Sequence, residues 1–285
     1  MIEVKNMNYH YAGSRHQVFR DFNLSLQENR IYGLLGKNGT GKSTLLYLIS
    51  GLLHAQSGEV SVDGVPSKKR MSQTLSEVFI VPEEYDLPNM SLKTFIKINR
   101  PFYPRFSEEV LNKCLTAFEM PTKLHLKKLS MGQKKKVYMS FALATGTRFL
   151  LMDEPTNGLD IPSKSLFRRV IAENMTDDRT LIISTHQVHD VEQLLDHVMI
   201  LSQSGLIFDM PTGEIGEKFT FALRQPGDSD ADIPIASRHC KAMPASVVGR
   251  RAMPKRKSTS NCCSTQPRWE NYKPIILFLK KHSQP

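Results

Sequence analysis

The chain has 285 residues, enough for one large domain or two smaller ones with a sizeable core. Its formal net charge is +10, but residues 225–285 hold eleven Lys and Arg against four Asp and Glu, a net of +7, so only +3 falls on the first 224 residues and a nucleic-acid-binding body is not indicated. No apolar stretch approaches the ~20 residues of a membrane span, and no Cys-x-x-Cys or nearby His pair suggests zinc. The four cysteines, three of them (Cys240, Cys262, Cys263) late in the chain and Cys114 alone before them, read as reduced cytosolic thiols.

The first residues read as a strand rather than a signal peptide. Residues 2–7 and 18–26 alternate apolar and polar side chains around a Gly13-Ser14 turn, which predicts an antiparallel β layer. Tyr11 lies in that turn region, where its ring could stack on a base or simply occupy a half-buried strand position. Tyr9 competes for the same role.

An apolar run at 31–35 then leads into Gly36-Lys37-Asn38-Gly39-Thr40-Gly41-Lys42-Ser43-Thr44, which fits G-x-x-x-x-G-K-[ST] and is followed by a helix-like run at 44–50. Glycines there let the backbone curl around an anion, so that N–H groups and the positive end of the next helix point at phosphates. Lys42 is placed to meet the β- and γ-phosphates and Ser43 to sit on Mg²⁺. A chance match in a chain of this length has a probability on the order of one in a hundred, and the correct flanks lower it further.

Gly51 ends the helix, Ser57-Gly58-Glu59-Val60 leads into a strand, and Asp63-Gly64 makes a hairpin turn. A buried strand is predicted at 78–81. It delivers Glu83, a carboxylate that could reach metal or water, or could equally be a solvated loop acid. Residues 91–129 turn helical, with Leu92, Phe95, Ile96 and Ile98 in one stripe and Val110, Leu111, Leu115 and Phe118 in the next. Ser107-Glu108-Glu109 starts the second helix with a capping serine and acids in its first turn. Helices inserted in an α/β chain present a contact surface or add core.

Leu129-Ser130-Met131-Gly132-Gln133 opens a long helix, and Ser130, Gly132 and Gln133 at its N-terminus form either a second anion site or an ordinary cap. Residues 148–152 are too continuously apolar for an exposed face, as in central parallel strands. They deliver Asp153 and Glu154 to the strand end, where open α/β sheets bind ligands. Asp153 is suited to Mg²⁺ through water and Glu154 to orienting or deprotonating a water; Pro155-Thr156-Asn157-Gly158-Leu159-Asp160 forms the next turn. Another buried strand at 180–184 ends in Thr185-His186, and His186 tops it beside the acid pair. His189 is expected on a following helix and His197 at the start of the next strand, at 198–201, with a hairpin around 204–208 closing the core.

Taken in this order, the cradle, Leu-Ser-x-Gly-Gln, the apolar strand with Asp-Glu, Gly-Leu-Asp and Ser-Thr-His resemble the nucleotide-binding subunit of an ATP-binding cassette (ABC) transporter over residues 1 to about 220. The resemblance implies an α/β P-loop NTPase core with an antiparallel β subdomain and a helical subdomain at about 88–145. It also implies two subunits, identical or different, closing head to tail on two ATP molecules, each held between one cradle (Gly36, Asn38, Gly39, Thr40, Gly41, Lys42, Ser43, Thr44) and the other subunit's Ser130, Gly132 and Gln133. Tyr11 becomes the adenine-stacking residue, and Ser43, Asp153 and Glu83 surround Mg²⁺. Glu154 becomes the general base, His186 the switch histidine and Asp160 the acid that communicates across the dimer.

Two positions depart from the family pattern, Glu83 where Gln is usual and Met131 where Gly is usual. Pro-Glu-Glu at 82–84, Phe102-Tyr103-Pro104-Arg105-Phe106 and a short helical region resemble the subgroup that pairs with small multi-pass permeases, many of them exporters. On this reading the subunit sits on the cytoplasmic face of the cell membrane through a separate permease. The alternative is a soluble ABC-type ATPase acting on ribosomes or nucleic acid, favoured only by the basic late segment; such proteins usually carry a second cassette, zinc modules or long coiled coils, and this sequence has none of them.

After about residue 225 the apolar periodicity stops, prolines recur, and Lys255-Arg256-Lys257 forms a basic run. Residues 221–285 therefore read as a basic, poorly ordered tail with no strand pattern, able to touch anionic lipid or RNA. The change of composition after Asp232 is also what translation in a shifted frame would produce, which the coding DNA would reveal.

Overall fold

The computed structural model describes residues 1–218 apart from Thr122 and Ser204, together with the two-residue strands Ala222–Leu223 and Val247–Val248; beyond Ile215 the backbone alone is considered. Those two strands pair antiparallel in a segment where the sequence shows no strand pattern, because two residues are too few to display a period. The rest of the expected tail, with Cys240, Cys262 and Cys263, lies outside the described residues.

Strand β1 (Ile2–His10) pairs antiparallel with β2 (Gln17–Leu26), setting Val4 opposite Leu24 and Met7 opposite Phe22. β3 (Ile31–Gly36) is buried throughout and feeds α1 (Lys42–Ile49). The helix stops at Gly51, whose φ of 70° is left-handed and where a Cβ would come within 2.4 Å of the Ser67 carbonyl oxygen. β4 (Ser57–Val62) turns through Asp63 and Gly64, both at positive φ, into β5 (Val65–Pro66). This gives the predicted antiparallel sheet, ordered β2-β1-β4-β5.

A short helix α2 (Ser72–Leu75) precedes β6 (Val78–Val81). Helices α3 (Leu92–Asn99) and α4 (Glu108–Ala117) are capped by the Ser91 and Ser107 hydroxyls, which accept from Thr94 N and Val110 N. Ile98, expected in the apolar stripe of α3, is instead exposed, since at the end of the helix it has turned off the face carried by Leu92, Phe95 and Ile96. α5 (Met131–Ala144) leads to β7 (Phe149–Asp153), α6 (Ile161–Glu173) and β8 (Thr180–Thr185). After β8 the expected helix is absent: His189 lies in the first of two 3-10 turns, Val188–Asp190 and Glu192–Leu194. Val188 and Val191 are both buried there, three residues apart, a spacing that a 3-10 turn also sets on one side. β9 (His197–Ser202), β10 (Gly205–Pro211) and α7 (Thr212–Lys218) complete the described part of the body.

The main sheet runs β10-β9-β3-β8-β7-β6, with every pair parallel except β10 with β9. Because side chains alternate faces, β7 sends Phe149 and Leu151 to one core and Leu150 and Met152 to another. The first core lies under the antiparallel sheet with α1; the second packs α3 to α6 around Phe141, whose ring sits 5.0 Å from Phe95 and 5.4 Å from Phe106. A buried phenylalanine of this kind resists truncation by about 3–5 kcal/mol. Both faces of β3, β7 and β8 are thus covered, and their carboxyl ends open on one edge of the sheet.

Candidate functional site

Four parallel strands deliver the site to that edge: the cradle follows β3, Glu83 follows β6, Asp153 ends β7 with Glu154 next to it, and His186 follows β8. The cradle packs so closely on β2 that a Cβ at Gly41, whose φ is 97°, would lie 2.8 Å from Val18 and 2.9 Å from Phe19. Only glycine can bring the start of α1 this near. The Thr40 hydroxyl donates to the Lys37 carbonyl at 2.9 Å, bracing the curl.

Lys42 is buried, its Nζ donating to the carbonyls of Gly36 at 2.9 Å and Lys37 at 3.1 Å and lying 3.8 Å from Glu154 Oε1. Burial draws its pKa down, while the charges of Glu154, Asp153 and Glu83 pull it back up. Tyr11 reaches the cradle as well: its hydroxyl is 2.8 Å from the Thr44 hydroxyl, and the side chain is 43% exposed. Tyr9 meets the Tyr11 ring edge-on at 5.2 Å but is buried in the core, so only Tyr11 has a surface to offer.

Asp153 is buried and accepts a short hydrogen bond from the Ser184 hydroxyl. Burial raises its pKa, opposed by hydrogen bonds from Ser184 and Ser43. Ser43 and Asp153 therefore belong to one network. Glu154 is 3% exposed and fully engaged. Its Oε1 accepts from His186 N at 3.0 Å and lies 2.7 Å from His186 Nδ1, and its Oε2 accepts from the Thr185 hydroxyl at 2.9 Å. Glu83 accepts from Asn157 Nδ2 at 2.9 Å, which joins the acid after β6 to the turn after β7.

The turn at 130–133 is built differently. Gln133 N donates to the Ser130 hydroxyl at 3.3 Å and Ser130 N donates to Gln133 Oε1 at 3.1 Å, a capping box in which the two residues serve each other. Met131 stands 71% exposed. A Cβ on Gly158 would lie 3.5 Å from the Met131 sulfur, so this turn neighbours the turn that follows β7. Asp160 caps α6, accepting from Ser163 N at 2.9 Å, and the Ser163 hydroxyl together with that N–H holds its carboxyl below the usual range.

Sequence reasoning missed four side chains that position these groups: Asn157 on Glu83, Ser184 on Asp153, Thr185 on Glu154, and Lys135, whose buried Nζ donates to the Glu154 carbonyl at 3.2 Å. Asn157, Ser184 and Thr185 sit inside motifs already singled out. Lys135 carries no sequence signal, since three consecutive lysines read as a solvated face.

The sequence profile of the ABC transporter family matches residues 19–157. The chain is 27% identical over 240 residues to the ABC transporter ATP-binding protein YtrB of Bacillus subtilis, covering 84% of this chain and 81% of that protein. It is 30% identical over 234 residues to the methionine import ATP-binding protein MetN of Protochlamydia amoebophila, covering 77% of this chain and 68% of that one. The fold matches a dimeric ATP-binding cassette solved in a post-hydrolysis state with ADP and phosphate, at a TM-score of 0.65 and 21% identity over 74% of this chain and 98% of that one. With the cradle, the acid pair and the histidine on one sheet edge, the chain belongs to the ABC transporter family, as an ATP-binding subunit that hydrolyses ATP.

Proposed function

We propose that this subunit pairs head to tail with a second cassette, of the same or another chain, and that ATP closes the pair to drive a separate multi-pass permease. The observation that carries this reading is the contrast at the site: Glu154 is held by its own chain from several directions, whereas the turn at 130–133 leaves Met131 exposed and is free to meet a ligand held elsewhere. Residues 1–220 form the cassette in this reading, with 88–145 as its helical arm.

ATP enters with its phosphates on the backbone N–H groups of 36–44 and its adenine on Tyr11. Lys42 exchanges the carbonyls of Gly36 and Lys37 for the β- and γ-phosphates, a favourable exchange because a buried ammonium gains more from anions than from neutral oxygens. The donor set fits Mg²⁺: Ser43 and Asp153 share a network of hard oxygen atoms and the Glu83 carboxylate charge acts on Asp153, and among the described residues no group of three or more His, Cys, Asp or Glu competes for a metal. An ion held by these residues would supply positive charge against that developing on the phosphates. Glu154 orients the attacking water and takes its proton as the bond from the γ-phosphorus to its bridging oxygen breaks, releasing ADP and phosphate. His186 holds Glu154 through Nδ1 and contacts the γ-phosphate, and Asp160 answers across the seam. Since ATP binds both chains and its products bind them less well together, hydrolysis reopens the pair.

Among the described residues no helix is long and apolar enough to cross a membrane, and we place the subunit on the cytoplasmic face through its permease. The short helical arm and the acid at Glu83 favour an exporter of the kind with small multi-pass permeases. Glu154→Gln tests the whole reading. It should bind ATP, lose at least about 100-fold in turnover, and elute as an ATP-dependent dimer on size-exclusion chromatography; cross-linked in native extract with Mg-ATP, it should bring down a multi-pass membrane protein. Recovery of ribosomes or DNA without a membrane partner would favour the soluble alternative instead.

A further inference from the structure

Lys134, Lys135 and Lys136 follow the turn at 130–133 on α5. The structure separates them. Lys134 reaches outward to Asp86 at 3.3 Å, whereas Lys135 turns inward, 7% exposed, and donates to the Glu154 carbonyl at 3.2 Å. Burial lowers its pKa, and the charges of Glu83, Glu154, Asp153 and Glu84 oppose that shift.

A buried ammonium is a costly way to fill space, because its desolvation outweighs what a single carbonyl returns. An apolar side chain of similar length would pack the same volume without that cost. What lysine adds is a charged donor on one particular peptide. That peptide belongs to Glu154, whose φ of 44° lies in the left-handed region, a conformation that a non-glycine residue keeps only when its surroundings hold it. The carboxylate of the same residue is fixed by Thr185 and His186 from β8 and the segment after it. Its N–H donates to the Ser184 carbonyl at 2.9 Å and its carbonyl accepts from Asn157 N within the turn at 3.1 Å; the Lys135 ammonium is the side-chain donor on that carbonyl, and it comes from α5, the helix that starts with the exposed turn.

We infer that Lys135 is a positioning residue for hydrolysis, holding the Glu154 peptide in its left-handed turn and tying it to the helix whose first residues meet the partner's nucleotide. The inference rests on the proposed roles of Glu154 and of residues 130–133. Seating of one subunit's 130–133 turn then shifts α5 and, through one hydrogen bond, sets the base in that same subunit's own cradle. The fixed charge also offsets the acid at Glu83, which adds a carboxylate to a site already holding two.

Lys135→Met and Lys135→Gln test this on the intact chain, with kcat, KM for ATP and the melting temperature measured together. Lys135→Met should fold, melt no lower than the parent protein, bind ATP with unchanged KM, and lose about tenfold or more in kcat, the scale of a small misplacement of a reacting group. Lys135→Gln, which keeps a donor for the carbonyl, should recover a clear part of that loss. A kcat that stays at the parent value in Lys135→Met overturns the inference, and so does a loss that appears only together with a lower melting temperature and that Gln does not relieve. Glu154→Gln run in parallel separates the two levels: if it turns over ATP at the parent rate, the assignment of the base itself fails, and Lys135 has nothing to position.

Discussion

The turn after β7 and the turn before α5 lie beside each other, yet they are finished to different degrees. At the first, Asp153 and Glu154 are buried and every carboxylate oxygen named above has a partner from its own chain. At the second, the side chains of Ser130 and Gln133 serve each other's backbone N–H groups, and Met131 projects outward. A preorganised site spends no energy on ordering itself when the substrate arrives, so the first turn reads as machinery complete in one chain. The second reads as half of a site. Two classes of variant follow, those that loosen the finished turn and those that reshape the unfinished one, and the first class should have much the larger effect.

The largest break in that contrast after Glu154→Gln is His186→Ala. It removes the ring 2.7 Å from Glu154 Oε1 but keeps the backbone N–H that also donates to that oxygen. Turnover should fall by about 100-fold, within the range for loss of an acid–base partner, while ATP affinity from equilibrium binding falls far less, because one γ-phosphate contact is lost and the cradle is kept. An equal fall in affinity would mean that His186 shapes the cradle rather than the reaction.

Met131→Gly acts on the other side of the comparison. The side chain has few neighbours to lose, so the fold should tolerate the change at a cost below about 1 kcal/mol, the helix penalty of glycine. A second subunit's phosphates could then approach the N–H groups of α5 more closely. ATP-dependent dimerisation of the Glu154→Gln background, read by analytical ultracentrifugation, should tighten by about fivefold, or roughly 1 kcal/mol. Weaker dimerisation would show instead that Met131 itself packs across the seam.

The finished turn was also the more legible in sequence, for a physical reason. A strand buried on both faces is a continuous apolar run, and whatever polar residues end it must stand at the open edge of the sheet; 149–153 could hardly be read otherwise. The choice between Tyr9 and Tyr11 was not legible, because it depends on which of two neighbouring rings the second sheet covers. Lys135 was hidden for the opposite reason. In a helix one residue of three consecutive lysines can face inward while its neighbours are solvated, and composition gives the three the same appearance. The expected helix at His189 is two 3-10 turns instead, because Val188 and Val191 lie three apart, a spacing that an α-helix and a 3-10 turn bury alike.

The smallest effect expected is on stability, and it shows what the finished turn costs. Burial raises the folded-state pKa of Asp153 above its ordinary value. Between those two values the folded chain binds more protons than the unfolded one, so stability falls as pH rises through that window and stays at the lower level above it. In nucleotide-free, metal-free protein at neutral pH, Asp153 is therefore a standing liability. Asp153→Asn removes the titration but keeps a carbonyl oxygen for the Ser184 hydroxyl. It should raise the melting temperature at neutral pH by about 2–4 °C, the equivalent of about 1 kcal/mol in a domain of this size, and remove the fall in melting temperature that the parent protein shows as pH rises from the ordinary aspartate range. The same variant should lose Mg²⁺-dependent ATP closure, since the carboxylate that burdens the empty fold is the one proposed to meet the ion. Stability gained at the expense of function is what a site strained toward its ligand predicts; a melting temperature that drops would mean that the Asp153 carboxylate is already neutralised within the chain, by Lys42 and Lys135, the two buried cations whose charges it meets.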